Sequence, residues 1–224
     1  MKLSRYIDHT LLKPTTTLGD IEKLCAEAIE FDFFTVCVPP LWIKSAVSIL
    51  AGSHVKTATV IGFPFGYSVV AAKLAEVNQA IADGADELDV VINISALKNG
   101  DRKLLQTEME TLLKPVRDNG KLLKVIIESG VLTNEEIISC CELYGGLGVD
   151  FLKTSTGYAE VGATVEALQL MRAHLPSSIQ LKASGGIRTY EQAMQMIKAG
   201  ANRLGCSASV AIIKGEKTGD AKGY

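Results

Sequence analysis

The sequence lacks the features of several broad classes of protein. Its 23 lysines and arginines nearly balance 25 aspartates and glutamates, so no basic surface for nucleic acid is indicated. No apolar run is long enough to span a bilayer, and the first residues contain no apolar core of a secretory leader. We therefore expect no nucleic-acid partner, no membrane partner and a cytoplasmic location.

Patterns for disulfides and bound metals are also missing. The five cysteines are odd in number and show no C-x-x-C spacing, which favours reduced thiols. The three histidines are far apart and match no metal-ligand spacing. The sequence therefore predicts no structural disulfide and no metal site. These residues are Cys25, Cys37, Cys140, Cys141, Cys206, His9, His54 and His174.

The chain does contain a regular alternation of apolar strand-like runs and helical segments. With 224 residues, 47% of them hydrophobic, it can bury a sizeable core. Eight such units predict an α/β fold, a single-domain (β/α)₈ TIM barrel over residues 1–214. A doubly wound open sheet is the alternative, and the absence of G-x-G-x-x-G after the first strand weakens it only slightly. The strand-like runs are 5–9, 33–38, 56–61, 87–92, 122–128, 151–154, 180–183 and 203–206.

Local signals place several helix boundaries. Thr17 with Asp20 and Thr133 with Glu136 have the spacing of capping boxes. Ser68 is expected to cap the third helix, and a loop through residues 99–100 is expected after the fourth strand.

Three charged residues interrupt apolar strands at matching positions. In a barrel, alternate strand residues face inward. Leu88 and Val90 would then face the helices while Asp89 points inward, and Lys153 and Lys182 would point inward on the sixth and seventh strands. Because barrel active sites lie at the C-terminal ends of the strands, we expect the carboxylate and the two amines to converge there.

Such a trio can perform amine chemistry. A lysine has an ordinary pKa of about 10.4, and a second ammonium or partial burial lowers it. A neutral amine attacks a carbonyl to form a Schiff base, which accepts electrons when the adjacent carbon–carbon bond breaks. Asp89 can hold and relay a proton with the second lysine. The alternative is structural: lysines that extend to solvent and a carboxylate that stabilises the barrel.

Glycine-rich turns follow the last two strands and indicate a phosphate site. Gly185 and Gly186 follow the seventh strand, and Gly205 and Ser207 belong to the turn after the eighth. Ser207 is expected to cap a short helix whose free N–H groups face an anion. These are the loops where barrels commonly bind phosphate, although two ordinary glycine turns would look the same.

The motifs together resemble those of deoxyribose-phosphate aldolases, a family of metal-free class I aldolases. The resemblance extends over nearly the whole chain. It is carried by residues 7–14 (IDHTLLKP), 36–38 (VCV), 60–64 (VIGFP), 87–93 (ELDVVIN), 123–128 (LKVIIE), 151–157 (FLKTSTG) and 182–188 (KASGGIR).

The resemblance implies a reaction and the residues that perform it. The reaction is reversible cleavage of 2-deoxy-D-ribose 5-phosphate into acetaldehyde and D-glyceraldehyde 3-phosphate, without a cofactor. Lys153 would form the Schiff base, Lys182 would lower its pKa and pass protons, and Asp89 would assist. Cys37 would be a pocket wall. The residues expected to bind phosphate are Gly157, Gly185, Gly186, Gly205 and Ser207.

Some expectations concern the chain end, assembly and rival functions. Residues 215–224 are polar and glycine-rich and are predicted to be a mobile tail, whose Tyr224 matches a tyrosine that reaches the site in this family. A homodimer is one assembly open to such a barrel. Two other functions remain open: a phosphosugar isomerase or epimerase, and a non-catalytic phosphosugar-binding protein.

Overall fold

The computed structural model describes residues 2–215, and these form a closed barrel of eight parallel strands. Strand order follows the chain, and β8 pairs with β1 to close the sheet. The predicted (β/α)₈ architecture is confirmed and the open-sheet alternative is excluded. The strands are Ile7–Thr10 (β1), Thr35–Val38 (β2), Lys56–Ile61 (β3), Glu87–Val91 (β4), Leu122–Ile126 (β5), Phe151–Lys153 (β6), Gln180–Ser184 (β7) and Arg203–Cys206 (β8).

Helices connect successive strands and cover the outside of the barrel. Short 3₁₀ segments occupy Leu3–Tyr6, Pro40–Trp42 and Ser129–Val131. The α-helices in the described part of the chain are Leu18–Glu30 (α1), Ile43–Ile49 (α2), Val70–Ala82 (α3), Ile94–Lys98 (α4), Arg102–Asp118 (α5), Asn134–Leu147 (α6), Val165–His174 (α7), Tyr190–Lys198 (α8) and Ser209–Lys214 (α9).

Both predicted capping boxes are present. Thr17 Oγ1 accepts from the Asp20 N–H, and Asp20 Oδ2 accepts from the Thr17 N–H over 2.8 Å. Thr133 and Glu136 make the same reciprocal pair at the start of α6. Each box satisfies backbone donors that a helix start otherwise leaves unpaired.

Three predictions of local structure in the first half of the chain are wrong. Ser68 does not cap α3, which begins at Val70 after Val69 without a side-chain cap. The loop expected after β4 contains α4, whose first turn is held by Asn93 Oδ1 accepting from the Ala96 N–H over 3.0 Å. Residues 5–6 are 3₁₀-helical, so β1 begins only at Ile7. Backbone hydrogen bonds from Ala72 to Val69 and from Arg5 to Lys2 mark the other two boundaries, and hydrophobic periodicity does not report such bonds.

The main core lies between the barrel and its helices. Leu88, Val90, Leu152 and Leu181 are fully buried there, which confirms the predicted strand parity. A second, smaller apolar cluster lies inside the barrel mouth. It consists of Leu12, Cys37, Ala58 and Val60, with Phe63 packed against it. Both faces of the strands are therefore covered, as a parallel sheet requires.

The described chain ends just beyond the barrel. Helix α9 ends at Lys214, and Gly215 follows with a left-handed φ of 70°. Residues 216–224 lie outside the described residues, so the predicted tail and the role of Tyr224 stay predictions. Among residues 2–215, no helix has the length and apolarity needed to cross a membrane.

Candidate active site

The three charged residues predicted for the barrel interior lie together. Asp89 Oδ2 accepts hydrogen bonds from Lys153 Nζ and Lys182 Nζ, each over 2.7 Å. The two amines are therefore no more than twice that distance apart. Lys153 and Lys182 are direct register partners on β6 and β7, so their side chains leave the sheet on the same side. The convergence of the trio follows from strand position alone.

Four further charged residues surround this trio and were not predicted as site residues. Lys182 Nζ lies 2.5 Å from Asp8 Oδ2, and Lys124 Nζ lies 2.8 Å from Asp89 Oδ1 and 2.6 Å from a Glu87 oxygen. Arg203 pairs with both Asp8 and Glu87. The four are all buried: Asp8, Glu87, Lys124 and Arg203.

These contacts close into a ring of alternating charge. Its six members, in order of contact, are Asp8, Lys182, Asp89, Lys124, Glu87 and Arg203, which we call the charge ring. Three carboxylates thus balance three cations. Lys153 joins the ring through Asp89 Oδ2, which also serves Lys182. A protonated Lys153 would be a surplus positive charge in a buried network, whereas a neutral Lys153 leaves the network balanced.

The pKa values of the two central lysines move apart. Burial lowers the pKa of Lys153, and the nearby Lys182 ammonium lowers it further against the opposing field of Asp89. Burial also acts to lower the pKa of Lys182, but the carboxylates of Asp8 and Asp89 outweigh it and hold that pKa well above its ordinary value. Of the pair, Lys153 is therefore the one that can supply a neutral amine.

Asp89 stays ionised in this setting. Burial raises its pKa, but the ammonium groups of Lys124, Lys153 and Lys182 outweigh burial and hold the pKa well below its ordinary value. So acidic a carboxylate is a weak base. Its clearest contributions are to orient the Lys153 amine and to place one oxygen between two nitrogens, along the shortest route for a proton.

An apolar cavity of about 380 Å³ opens at the mouth of the barrel. Its lining comes from β3 and from the segments that follow β1, β2, β3 and β6, and it includes Leu12, Val60, Phe63 and Tyr158. Val60 is the register partner of Asp89, so the cavity floor adjoins the charged trio. Cys37 is fully buried beside this floor, and burial raises the pKa of its thiol to about 11. A neutral thiol fits the predicted pocket wall.

The five residues predicted to bind phosphate, four glycines and Ser207, lie in three settings. Gly157 and Gly185 have left-handed φ angles of 91° and 84° and approach each other closely, because a Cβ on Gly185 would lie 3.4 Å from the Gly157 Cα. Gly186 and Ser207 are exposed beyond the ends of β7 and β8. Gly205 lies deeper, where a Cβ would meet the Lys182 Cε at 3.2 Å. The phosphate role of all five stays a prediction.

The expected cap of the last helix is absent. Helix α9 begins at Ser209 with Ala208 at its N-cap, and Ser207 makes no capping hydrogen bond there. The hydroxyl of Ser209 instead donates to the Cys206 carbonyl over 2.8 Å. Within the described chain, no cluster of three or more His, Cys, Asp or Glu side chains could hold a metal ion.

A (β/α)₈ barrel with a buried amine of lowered pKa at the carboxyl ends of its strands has the architecture of a lysine-dependent barrel enzyme. The profile of the DeoC/LacD family aldolases matches residues 3–217. This chain belongs to that family. The resemblance predicted from the motifs is confirmed, and so is the expectation of an aldolase.

Individual relatives match over almost their full length. A deoxyribose-phosphate aldolase from Brevibacillus brevis is 49% identical over 97% of this chain and 98% of its own. One from Thermococcus gammatolerans is also 49% identical, over 98% of this chain and 99% of its own. Among solved structures, a tetrameric deoxyribose phosphate aldolase from Aeropyrum pernix superposes with a TM-score of 0.89 at 30% identity, over 95% of this chain and 89% of its own.

Proposed function

We propose that this chain is a Schiff-base aldolase that reversibly cleaves 2-deoxy-D-ribose 5-phosphate into acetaldehyde and D-glyceraldehyde 3-phosphate. The observation that carries the proposal is the surplus amine: Lys153 adjoins a balanced charge ring and has a lowered pKa. Relatives 49% identical over nearly the whole chain carry the name of this enzyme.

The first half of the reaction uses the neutral amine of Lys153. Its nitrogen attacks the C1 carbonyl of the open-chain sugar and forms a carbinolamine. Protonation of the new hydroxyl allows water to leave, and a positively charged iminium remains on Lys153. The oxygen that Asp89 places 2.7 Å from both amines offers the route by which protons pass between Lys153 and Lys182.

The second half breaks the carbon–carbon bond. The hydroxyl on C3 gives up its proton, the electron pair of the C2–C3 bond moves towards the iminium, and D-glyceraldehyde 3-phosphate leaves. The enamine that remains takes up a proton at C2, which balances the one lost from the C3 hydroxyl, and water hydrolyses the resulting imine to release acetaldehyde and free Lys153. The iminium is the electron sink that makes this cleavage possible.

The substrate's phosphate is assigned to the glycine turns after β6, β7 and β8. Backbone N–H groups in such turns bind anions, and loops seven and eight are the usual phosphate site of barrels. Gly157, Gly185, Gly186, Gly205 and Ser207 fit this assignment by position, with Gly186 and Ser207 open to an incoming ligand.

Assembly and location complete the proposal. We infer a cytoplasmic homodimer. All five cysteines are buried and unpaired within the described residues, as is usual for a chain kept in a reducing compartment. Leu41, Phe65, Tyr67 and Val69 are exposed large apolar side chains of the kind that self-association covers.

The proposal is tested by trapping the imine. Protein incubated with acetaldehyde and sodium borohydride should gain one ethyl group, and peptide mapping should locate it on Lys153. Lys153→Met should abolish trapping and lower kcat for sugar cleavage by at least about a thousandfold, because it removes the nucleophile. Lys56→Met, at the exposed start of β3, is the matched control and should trap normally.

Three results would contradict the proposal. An adduct on another lysine would reassign the nucleophile. Resistance to borohydride combined with turnover of phosphosugar isomers would identify an isomerase or epimerase, which needs no imine. Tight binding of a phosphosugar without turnover would identify a binding protein.

A further inference from the structure

The backbone is irregular at Glu128, just beyond β5. The Ile127 N–H donates to the Lys153 carbonyl over 3.1 Å, and the Ser129 N–H donates to the adjacent Thr154 carbonyl over 2.8 Å. Glu128 is therefore an extra residue in the ladder, and it has left-handed angles, φ 55° and ψ 57°. A residue with a Cβ adopts this conformation at a cost of about 1–2 kcal/mol. Such bulges redirect a side chain, often beside an active site.

The redirected carboxylate is buried and binds one residue. Both oxygens of Glu128 accept from the Thr156 N–H, over 3.2 and 3.3 Å, and Oε2 also accepts a short hydrogen bond from the Thr156 hydroxyl. Only 4% of Glu128 is exposed. Glu128 thus combines a strained backbone with a buried carboxylate. The contact that results from both is the one that holds Thr156 in place.

Thr156 in turn holds the segment that follows the proposed nucleophile. Its Oγ1 accepts from the Tyr158 N–H over 3.0 Å, and the Tyr158 hydroxyl donates to the Leu12 carbonyl over 3.0 Å across the barrel mouth. The Tyr158 ring meets Phe63 edge-on, with centroids 5.4 Å apart. Gly157, which lies between the two, approaches Gly185 of the next loop.

We propose that Glu128 is a positioning residue that sets residues 156–158 for the phosphate end of the substrate, acting through Thr156. The inference rests on the proposed function, since it presumes a phosphorylated substrate. Glu128 makes its hydrogen bonds with the loop and none with the Lys153 amine. The Glu128 carboxylate and the Lys153 ammonium attract each other, so removal of the carboxylate does not raise the Lys153 pKa. It should therefore weaken recognition of the phosphorylated sugar without slowing imine formation.

The test compares the Glu128→Gln variant with the wild type on three reactants: 2-deoxy-D-ribose 5-phosphate, unphosphorylated 2-deoxy-D-ribose and acetaldehyde. KM for 2-deoxy-D-ribose 5-phosphate should rise about tenfold, the scale of one lost hydrogen bond to a charged group. Cleavage of unphosphorylated 2-deoxy-D-ribose and borohydride trapping with acetaldehyde should be no slower than in the wild type. Thr156→Val, which removes the hydroxyl at the other end of the contact, should raise the same KM, and the double variant should be no worse than the poorer single variant.

Glu136→Gln is the matched control. It removes another carboxylate that accepts from a backbone N–H, in the capping box of α6, where its partners are Thr133 and Lys98. It should lower the thermal stability without changing the KM of either sugar. Equal losses on the phosphorylated and unphosphorylated sugars, or an unchanged KM in both Glu128→Gln and Thr156→Val, would overturn the role of Glu128 alone. Failure of the wild-type protein to cleave the phosphorylated sugar would overturn the proposed function as well.

Discussion

At the scale of single residues, burial alone does not make a lysine reactive. Lys73 is as buried as Lys153, and burial lowers its pKa too. Its Nζ, however, is paired with Glu108 over 2.7 Å and with the Val91 carbonyl over 2.8 Å, in the layer between α3, α5 and β4. Lys153 instead shares its carboxylate with a second ammonium beside the open cavity. Location and charge balance together select it.

Lys182→Met should raise the pH at which Lys153 forms a Schiff base. Without Lys182, the Asp89 oxygen that it shares with Lys153 serves Lys153 alone. The protonated form of Lys153 gains stability, its pKa rises, and less neutral amine is present at neutral pH. The rate of borohydride trapping with acetaldehyde, measured across a pH series, should therefore rise at a higher pH than in the wild type.

This substitution also breaks a buried ion network. Asp8 loses one of its two cations, so we expect a loss of roughly 3 kcal/mol in the free energy of unfolding, measured with urea. Lys56→Met serves as the control for both measurements. A trapping profile at the wild-type pH, in a folded Lys182→Met protein, would refute the proposed effect of Lys182 on Lys153.

At the scale of the element, β8 must leave room for the lysine of its neighbour β7. A Cβ on Gly205 would lie 2.9 Å from the Ser184 Cβ and 3.2 Å from the Lys182 Cε. Gly205→Ala should displace Lys182 from the charge ring. We expect a lower kcat for sugar cleavage and a loss of about 1–3 kcal/mol in the free energy of unfolding, typical of overpacking.

Gly146→Ala is the appropriate comparison for that substitution. Gly146 lies in α6, where an added Cβ meets nothing within 4 Å. Alanine favours helix, so this variant should keep its kcat and unfold at the same temperature or slightly higher. If Gly205→Ala retained full kcat, the space beside Lys182 would have no role in catalysis.

Strand periodicity explains why so much of the site could be predicted. A single charge between apolar neighbours, as at Asp89 and Lys182, or directly after an apolar pair, as at Lys153, gives its direction by parity alone. Lys124 carries the same signal, because Leu123 and Val125 flank it and both are buried in the outer core. It was therefore predictable from the sequence, although it was not predicted.

Other parts of the site depend on barrel closure. Arg203 and Asp8 are 195 residues apart in the chain and meet only because β8 pairs with β1. The left-handed conformation of Glu128 is equally hidden, because nothing in residues 123–128 distinguishes a bulge from a continuing strand. Long-range pairing and local backbone strain leave no periodic signature in a sequence.

At the scale of the whole molecule, the charge ring ties together β1, β4, β5, β7 and β8, so it links acidity to stability. The pKa of Asp8 shows how stability changes with pH. Burial raises its pKa, but Arg203 and Lys182 outweigh burial and lower it to about 2, from an ordinary value of 3.8. Because the folded pKa is the lower one, the stabilisation is complete above pH 3.8 and is lost as pH falls towards 2. Burial raises the pKa of Glu108 and Glu128, so these two groups oppose the trend.

Acid unfolding should therefore be steep below pH 4 in the wild type and shallower in Asp8→Asn. The Asp8 shift corresponds to about 2 kcal/mol of the free energy of unfolding, all of it lost between the two pKa values. Asn cannot ionise, so the variant should be less stable at pH 7 yet lose less on acidification. Urea titrations followed by circular dichroism at a series of pH values measure both slopes.

Asp118→Asn, on the surface beside Lys114, is the control and should parallel the wild type. Parallel curves for Asp8→Asn and wild type would mean that the ring does not couple acidity to folding.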